Sequence, residues 1–448
     1  MKSKTEIAEV SFTVVNHPPK SDWEKLFTRP LIDYSSLEET VRNVLEKVKE
    51  EGDMALFELT KKFDNVSLEN LSVTGKEIAE AVSTLDPKLK KAIQTARLNI
   101  EKFHKAQLQV PGPMETTPGV KCWQKSIPIE KVGLYIPGGS APLFSTVLML
   151  GIPAVLAGCK EITLCTPPDT EGKINPAILF TANLIGIEKI FKVGGSQAIA
   201  AMAYGTETIP KIFKIFGPGN QFVSMAKELV SRQGTAIDMV AGPSEVAIMA
   251  DETSNPEFIA ADLLSQAEHG PDSQVLLFTT SENIVKQSIK EVKAQLDQLP
   301  RKEIATQALA SARFIVATDD DNMVEMVNKY APEHLIICTE NYLQLSERIT
   351  AAGSVFLGPH TPESAGDYAS GTNHTLPTNG YARTQGGLNM DNFVKKVTFQ
   401  EISEYGIFNI GSAIEIMAEA EKLNAHKTAV SKRLKRLLDN FGNDVQHK

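Results

Sequence analysis

A chain of 448 residues is too long for one hydrophobic core, so two or more domains are expected, and 42% hydrophobic with 23% charged residues is the composition of a globular protein. A formal charge of -9, with no basic run that could track a phosphate backbone, argues against nucleic acid as a partner.

In chain order, Met1-Lys2-Ser3-Lys4-Thr5-Glu6 lacks the apolar stretch of a leader peptide, and the longest apolar run, Val147 to Ala157, holds Gly151 and Pro153 and is too short for a bilayer. Cys122, Cys159, Cys165 and Cys338 form no C-x-x-C pair, which fits reduced thiols. A cytoplasmic protein with no membrane partner is expected. Residues 1–30, broken by Pro18, Pro19 and Pro30, read as an arm lying on something else. The spacing of Leu37, Val41, Val44, Leu45 and Val48 predicts an amphipathic helix over 37–51 that Gly52 can cap. A second helix runs to about Phe63, and Asp86-Pro87 opens another through Ile93 and Ile100 toward Phe103. Pro111-Gly112-Pro113 closes this block as a linker or crossing strand.

From Val132 the pattern becomes strand, glycine turn, helix. Val132–Ile136 leads into Pro137-Gly138-Gly139, Ile162–Cys165 into Pro167-Pro168, Ile190–Val193 into Gly194-Gly195-Ser196-Gln197, and Ile212–Phe216 into Gly217-Pro218-Gly219-Asn220. Such alternation predicts a parallel sheet. After Asp238 it resumes with strands at 245–250, 275–279, 314–317, 335–338 and 355–357, which implies a second α/β sheet. Beyond about Asn389 no further strand is expected, and a helical, increasingly basic tail over 414–438 ends the chain with little core of its own.

Several constellations could carry chemistry. The glycine turns stand where backbone N–H groups and a helix N-terminus meet an anion, and three in one domain favour a nucleotide pyrophosphate, although none is G-x-G-x-x-G. Tyr135, Gln197 and Asn220 lie at these turns with groups suited to ribose or amide contacts. Asn255-Pro256 starts a helix that Gly270-Pro271 stops, so Gln266 and His269 project from one face of its last turn, with Asp262 one turn behind. They are candidate metal ligands, although a His at a helix C-terminus also simply complements the dipole. Glu333-His334, before the strand at 335–338, pairs a carboxylate with an imidazole and suits general acid/base work or, equally, a capping role. Asp367 and His374 lie seven apart in a Gly- and Thr-rich loop. Glu421 and His426 would lie about 140° apart on one continuous helix and converge only if it breaks, for which Asn424 is a fair N-cap.

Taken together, Tyr135 to Gly139, Gly194 to Ala198, Gly217 to Asn220, Ala241-Gly242-Pro243-Ser244-Glu245, Ser265 to Gly270, Pro332 to Leu335, Gly366-Asp367-Tyr368 and Asn373 to Pro377 resemble the histidinol dehydrogenase family. Glu421 to His426 is similar too, with Lys422 where the family has Gly; Thr372 stands where Pro is commoner. The resemblance implies an α/β fold of two incomplete Rossmann-like parallel-sheet domains, related to aldehyde dehydrogenases, with small extended or helical N- and C-terminal appendages. The expected division is an arm over 1–30, a discontinuous domain over 31–110 and 244–388 carrying the zinc and catalytic residues, a linker over 111–131, an NAD-binding domain over 132–243, and a tail over 389–448.

The implied activity is the last step of histidine biosynthesis, oxidation of L-histidinol to L-histidine through bound L-histidinaldehyde with two NAD+. By the same resemblance Gln266, His269, Asp367 and His426 bind one Zn2+ per subunit, leaving the sphere open to substrate. The family's zinc holds the substrate through its imidazole and amino nitrogens. His334 is the implied general base for both oxidations and Glu333 activates water for the second. Ser244, His374 and Glu421 are implied substrate contacts, and Tyr135, Gln197 and Asn220 NAD contacts. A homodimer with exchanged tails would bring Glu421 and His426 to the partner's site. Three other classes compete: a zinc hydrolase using Glu333, a cysteine-dependent aldehyde dehydrogenase, and a nucleotide-binding module without activity.

Overall fold

The computed structural model of the protein describes residues 12–29, 34–108, 112–138, 142–239 and 242–446. Met1 to Glu6, Pro30, Pro111, Gly139 and Ala241, named above, fall outside them. The chain divides into two compact units, 1–107 with 129–392, and 108–128 with 393–448. It is an α/β protein built on two parallel sheets.

In the larger unit the first sheet has the order Lys189–Lys192, Glu161–Thr166, Lys131–Tyr135, Lys214–Phe216, Ala236–Ile237, all parallel. Val132, Leu134, Leu164 and Ile215 are buried, as expected of strands covered on both faces. The helices Tyr34–Glu51, Asp53–Phe63, Gly75–Thr84 and Pro87–Lys105 all pack on helices of this sheet. That corrects the expected division, which put residues 31–110 with the second sheet. The reason lies in the partner surface. The stripe Leu37, Val41, Val44, Leu45 and Val48 shares a core with Ala198, Ala201 and Met202 of the helix Gly195–Tyr204, whose alanines allow close approach. Gly75–Thr84 itself was not foreseen, although Thr74 and Glu77 form a reciprocal capping box that the sequence displays.

The second sheet runs Thr13–Asn16, Arg313–Val316, Gln274–Thr279, Glu245–Ala250, His334–Ile337, Ser354–Leu357, again parallel throughout. Its edge strand comes from the N-terminal arm. Trp23 and Phe27 then enter the core beside Phe278 and Tyr330, so the arm is part of this domain and not a loose extension. His334 is paired with Val246, which sets the starts of two neighbouring strands side by side.

The smaller unit corrects two further expectations. Residues 111–131 are no linker, because Met114–Thr117 and Val120–Pro128 are strands, and the tail is not purely helical, because Val394–Ile402 pairs antiparallel with the whole of Val120–Pro128. Apart from buried Val120, Val120–Pro128 and Val394–Ile402 hold only exposed and half-buried positions, so they lack the continuous apolar run that marks the buried strands. Trp123 stacks on Phe399 at 5.6 Å. Glu404–Ala420 and Asn424–Gln446 form a helical hairpin, and the break comes at Lys422. Lys422 has φ 60, its N–H donates to the Glu419 carbonyl, and the Leu423 N–H donates to that of Ala418. This is a Schellman cap with lysine where glycine is favoured. Among the described residues no helix is long and apolar enough to cross a membrane.

Candidate active site

The helix Pro256–Ala267 opens with Asn255 capping the Glu257 N–H and ends sooner than expected, with Gln266 in its last turn but His269 in the turn beyond. Gln266 is fully buried, and neither its Oε1 nor its Nε2 has a hydrogen-bond partner among the described residues. A buried amide left so is costly unless something absent from the protein satisfies it. Asp367 lies not in an open loop but on the short helix Glu363–Tyr368, which Pro362 starts and which packs against the first helix. The nearest ligand atoms of His269, Glu363 and Asp367 lie within 4.8 Å of one another.

Glu363 was missed by sequence reasoning. Its signal is the spacing Glu363-x-x-x-Asp367 after a proline, which sets two carboxylates on one helical face. Both Glu363 oxygens are buried without hydrogen-bond partners among the described residues. Burial and then the neighbouring carboxylates Asp367, Glu333 and Asp262 hold its carboxyl well above the usual range. Burial also raises Asp262 and Asp367 to about 7. Carboxyl groups that resist ionising together, with a histidine beside them, are a donor set that could hold a cation, and N and O donors of this kind are compatible with a divalent metal such as zinc.

Glu333 and His334 stand at the amino end of their strand, against the general rule that open α/β sheets bind ligands beyond the carboxyl ends. One residue of the adjacent strand holds both. The Glu245 N–H donates to Glu333 Oε2 at 2.8 Å, and the Glu245 carbonyl faces His334 Nδ1 at 3.0 Å. A carbonyl only accepts, so Nδ1 carries the proton and Nε2 bears the lone pair. Nε2 has no hydrogen-bond partner among the described residues and lies 3.7 Å from Asp367 Oδ1. Nδ1 is also 3.7 Å from Glu333 Oε2 and from Glu363 Oε1. Burial lowers the His334 pKa to about 3, so the ring is neutral, and burial pushes the Glu333 carboxyl well up despite the Glu245 N–H.

His374 joins the group: its Nδ1 donates to the Asp367 carbonyl at 3.1 Å and its Nε2 accepts from Thr146 Oγ1 at 3.1 Å. Ser244 is half-buried just before the strand that carries Glu245. Thus the structure brings together His269, Glu333, His334, Glu363, Asp367 and His374, with Gln266 three residues before His269 and Ser244 next to Glu245. Glu421 and His426 belong to the smaller unit, where both are exposed on either side of the expected helix break.

The glycine turns have local roles of their own. Tyr135 is buried and its hydroxyl accepts the Gly195 N–H at 3.0 Å. Gln197 is buried in the first turn of the following helix, and Asn220 caps the next by accepting from Phe222 and Val223. At Gly217, with φ 132, a Cβ would lie 2.1 Å from the Tyr135 carbonyl oxygen, so no side chain fits there. A buried Lys227–Asp238 pair clamps that residue, Lys227 Nζ donating to its carbonyl at 2.8 Å and Asp238 Oδ2 accepting its N–H at 2.8 Å. Nothing in the sequence marks this pair, because its members meet only through the fold.

The model of the histidinol dehydrogenase family matches residues 27–434. A histidinol dehydrogenase of Bacteroides thetaiotaomicron is 58% identical over 424 residues, 95% of this chain and 99% of that protein. That of Escherichia coli is 53% identical over 416 residues, 92% of this chain and 95% of the relative. The crystal structure of histidinol dehydrogenase from Elizabethkingia anophelis is similar with a TM-score of 0.93 at 58% identity, covering 95% of this chain and 98% of that one.

Proposed function

The chain belongs to the histidinol dehydrogenase family, and from that premise we propose that it oxidises L-histidinol to L-histidine through bound L-histidinaldehyde, the last step of histidine biosynthesis. The reading includes a zinc site of Gln266, His269 and Asp367, completed by His426 from the exchanged tail of a partner subunit in a homodimer, and NAD+ contacts from Tyr135, Gln197 and Asn220. Ser244, His374 and Glu421 are the proposed further substrate contacts. Zinc held there would orient the substrate's nitrogens without redox chemistry, and NAD+ bound at the glycine turns would supply the oxidant for both steps.

The observation that carries the reading is the fixed tautomer of His334. With Nδ1–H held by the Glu245 carbonyl, Nε2 is the one nitrogen able to take a proton, and it is neutral, buried and otherwise partnerless among the described residues. It accepts the alcohol proton as the carbinol carbon loses hydride. The Glu245 carbonyl, which already accepts from Nδ1–H, then stabilises the imidazolium that forms. For the second oxidation Glu333, as the carboxylate, takes a proton from water as the water oxygen bonds to the aldehyde carbon, and the His334 imidazolium left by the first oxidation gives its proton to the aldehyde oxygen, completing the hydrate and restoring the neutral ring. His334 removes a hydroxyl proton again as the hydrate loses hydride and becomes the carboxylic acid. A thiol route is disfavoured, since burial raises the Cys159 pKa to about 11 and that of Cys338 to about 12 and pushes Cys165 higher still.

The test counts NADH formed per histidinol consumed. Wild type should give two, with little free aldehyde, and Glu333→Gln should stop near one, because only the second oxidation needs an activated water. Release of aldehyde after one NADH by the wild type, or two NADH from Glu333→Gln at an unchanged rate, would refute the division of labour.

A further inference from the structure

The proposed general base is held by a residue that touches no substrate in this reading, and that residue is held in turn by one from the N-terminal arm. Arg29, at the end of the N-terminal arm, makes a forked pair with the Glu245 carboxylate through Nε and Nη2, the latter at 2.8 Å from Oε2. The Glu245 side chain is 1% exposed and that of Arg29 12%. Glu245 Oε1 also accepts the Asn379 N–H at 2.9 Å. The Glu245 main chain is what grips the catalytic pair, with its N–H on Glu333 and its carbonyl on His334 Nδ1.

Arg29 also acts on the segment that leads into Glu333. Its guanidinium lies 4.0 Å from the Tyr330 ring centroid, and Nη2 donates to the Tyr330 carbonyl at 2.9 Å and to that of Ala331 at 3.4 Å. These are the last carbonyls of the helix Asp320–Tyr330, where a cation is favourable. Ala331 sits at φ 55, a left-handed conformation an alanine adopts only when its surroundings demand it. Only Pro332 separates it from Glu333. One guanidinium thus fixes both the strand start that carries Glu245 and the turn that delivers Glu333 and His334.

We infer that Arg29 and Glu245 are positioning residues for the catalytic pair: the arm's guanidinium sets the Glu245 main chain, which in turn fixes the tautomer of His334 and the aim of Glu333. The inference rests on His334 being the base. Lysine keeps the charge at position 29 but cannot form the fork or cap two carbonyls at once. Arg29→Lys should therefore lower kcat by about 10- to 100-fold, the cost of misplacing a catalytic group by around an ångström, with KM within about twofold and metal content unchanged.

A merely structural role would lower stability without this split. Glu245→Gln, which keeps the side-chain acceptor for Asn379 and loses the charge, should give the same fall, and the double variant should be no worse than either single one. The readout independent of turnover is the 15N signal of the His334 ring in histidine-labelled enzyme, assigned by its loss in His334→Asn. Wild type should show the Nδ1–H tautomer alone, and Arg29→Lys a mixture. An unchanged ring signal with wild-type kcat, or additive losses in the double variant, would overturn the positioning. If Arg29→Lys does not fold, Glu245→Gln decides by the same two readouts. A wild type that forms no NADH from histidinol would instead overturn the functional reading and leave the ring test standing.

Discussion

Among single residues, Gln266 separates a structural from a functional role most sharply. Its amide is completely buried with both polar atoms partnerless among the described residues, and a core that only needed filling would be better served by leucine. An unsatisfied buried amide costs roughly 1–3 kcal/mol. In metal-free protein, Gln266→Leu should raise unfolding stability by about that amount. Zinc stabilises the fold according to its affinity for the native state, so the gain on adding zinc should shrink in the variant. Chemical denaturation with chelator and with excess zinc measures both. If the leucine protein is no more stable without metal and gains as much as wild type with it, Gln266 is no ligand and its burial needs another cause.

At the scale of elements, helix ends are where local rules and the wider packing come into conflict. Asp64 caps the C-terminus of Asp53–Phe63, where a negative charge opposes the helix dipole, and its Oδ2 is buried without a hydrogen-bond partner among the described residues. Burial raises its pKa from 3.8 to about 6. A carboxyl raised on folding contributes stability that is full below pH 3.8 and is lost as pH rises through about 6. Since the group is only partly buried, the penalty is roughly 1–2 kcal/mol rather than the full shift. Asp64→Asn should therefore raise the denaturation midpoint at pH 8 and leave it unchanged near pH 4. An equal effect at both pH values would make packing, not charge, the cause. Elements whose signals are local were legible in the sequence: the helix from Asn255-Pro256, the strand runs of both sheets, and the tail break before Asn424. What depended on contacts distant in sequence was not. The edge strand Thr13–Asn16 and the ribbon Val394–Ile402 declare themselves only beside their partners, and Glu363 gains meaning only once Asp262 and Glu333 crowd it.

At the scale of the whole molecule, the proposed site is incomplete in its own unit, where Gln266, His269 and Asp367 are three donors, and the proposed fourth, His426, is exposed in the smaller unit with Glu421. That unit presents Tyr405, Phe408, Ile416 and Met417 on one helix at 54–64% of full exposure. Tyr405, Phe408 and Ile416 fall within about 80° of the helix circumference at 3.6 residues per turn, and an exposed apolar stripe of that kind on a small ribbon-and-hairpin unit is what an interface between subunits would bury. If each tail serves the partner's site, two differently broken subunits can rebuild one intact site between them. Mixing and refolding inactive His269→Ala with inactive His426→Ala should then restore activity, because a mixed dimer has one site with both lesions and one with neither. Random pairing makes about half of the dimers mixed, each with one good site of two, so recovery should approach about a quarter of wild type. If each tail serves its own subunit, every site keeps one lesion and the mixture stays inactive. Inactive mixtures in which mass measurement finds mixed dimers would therefore refute the exchange while leaving His269 and His426 as ligands.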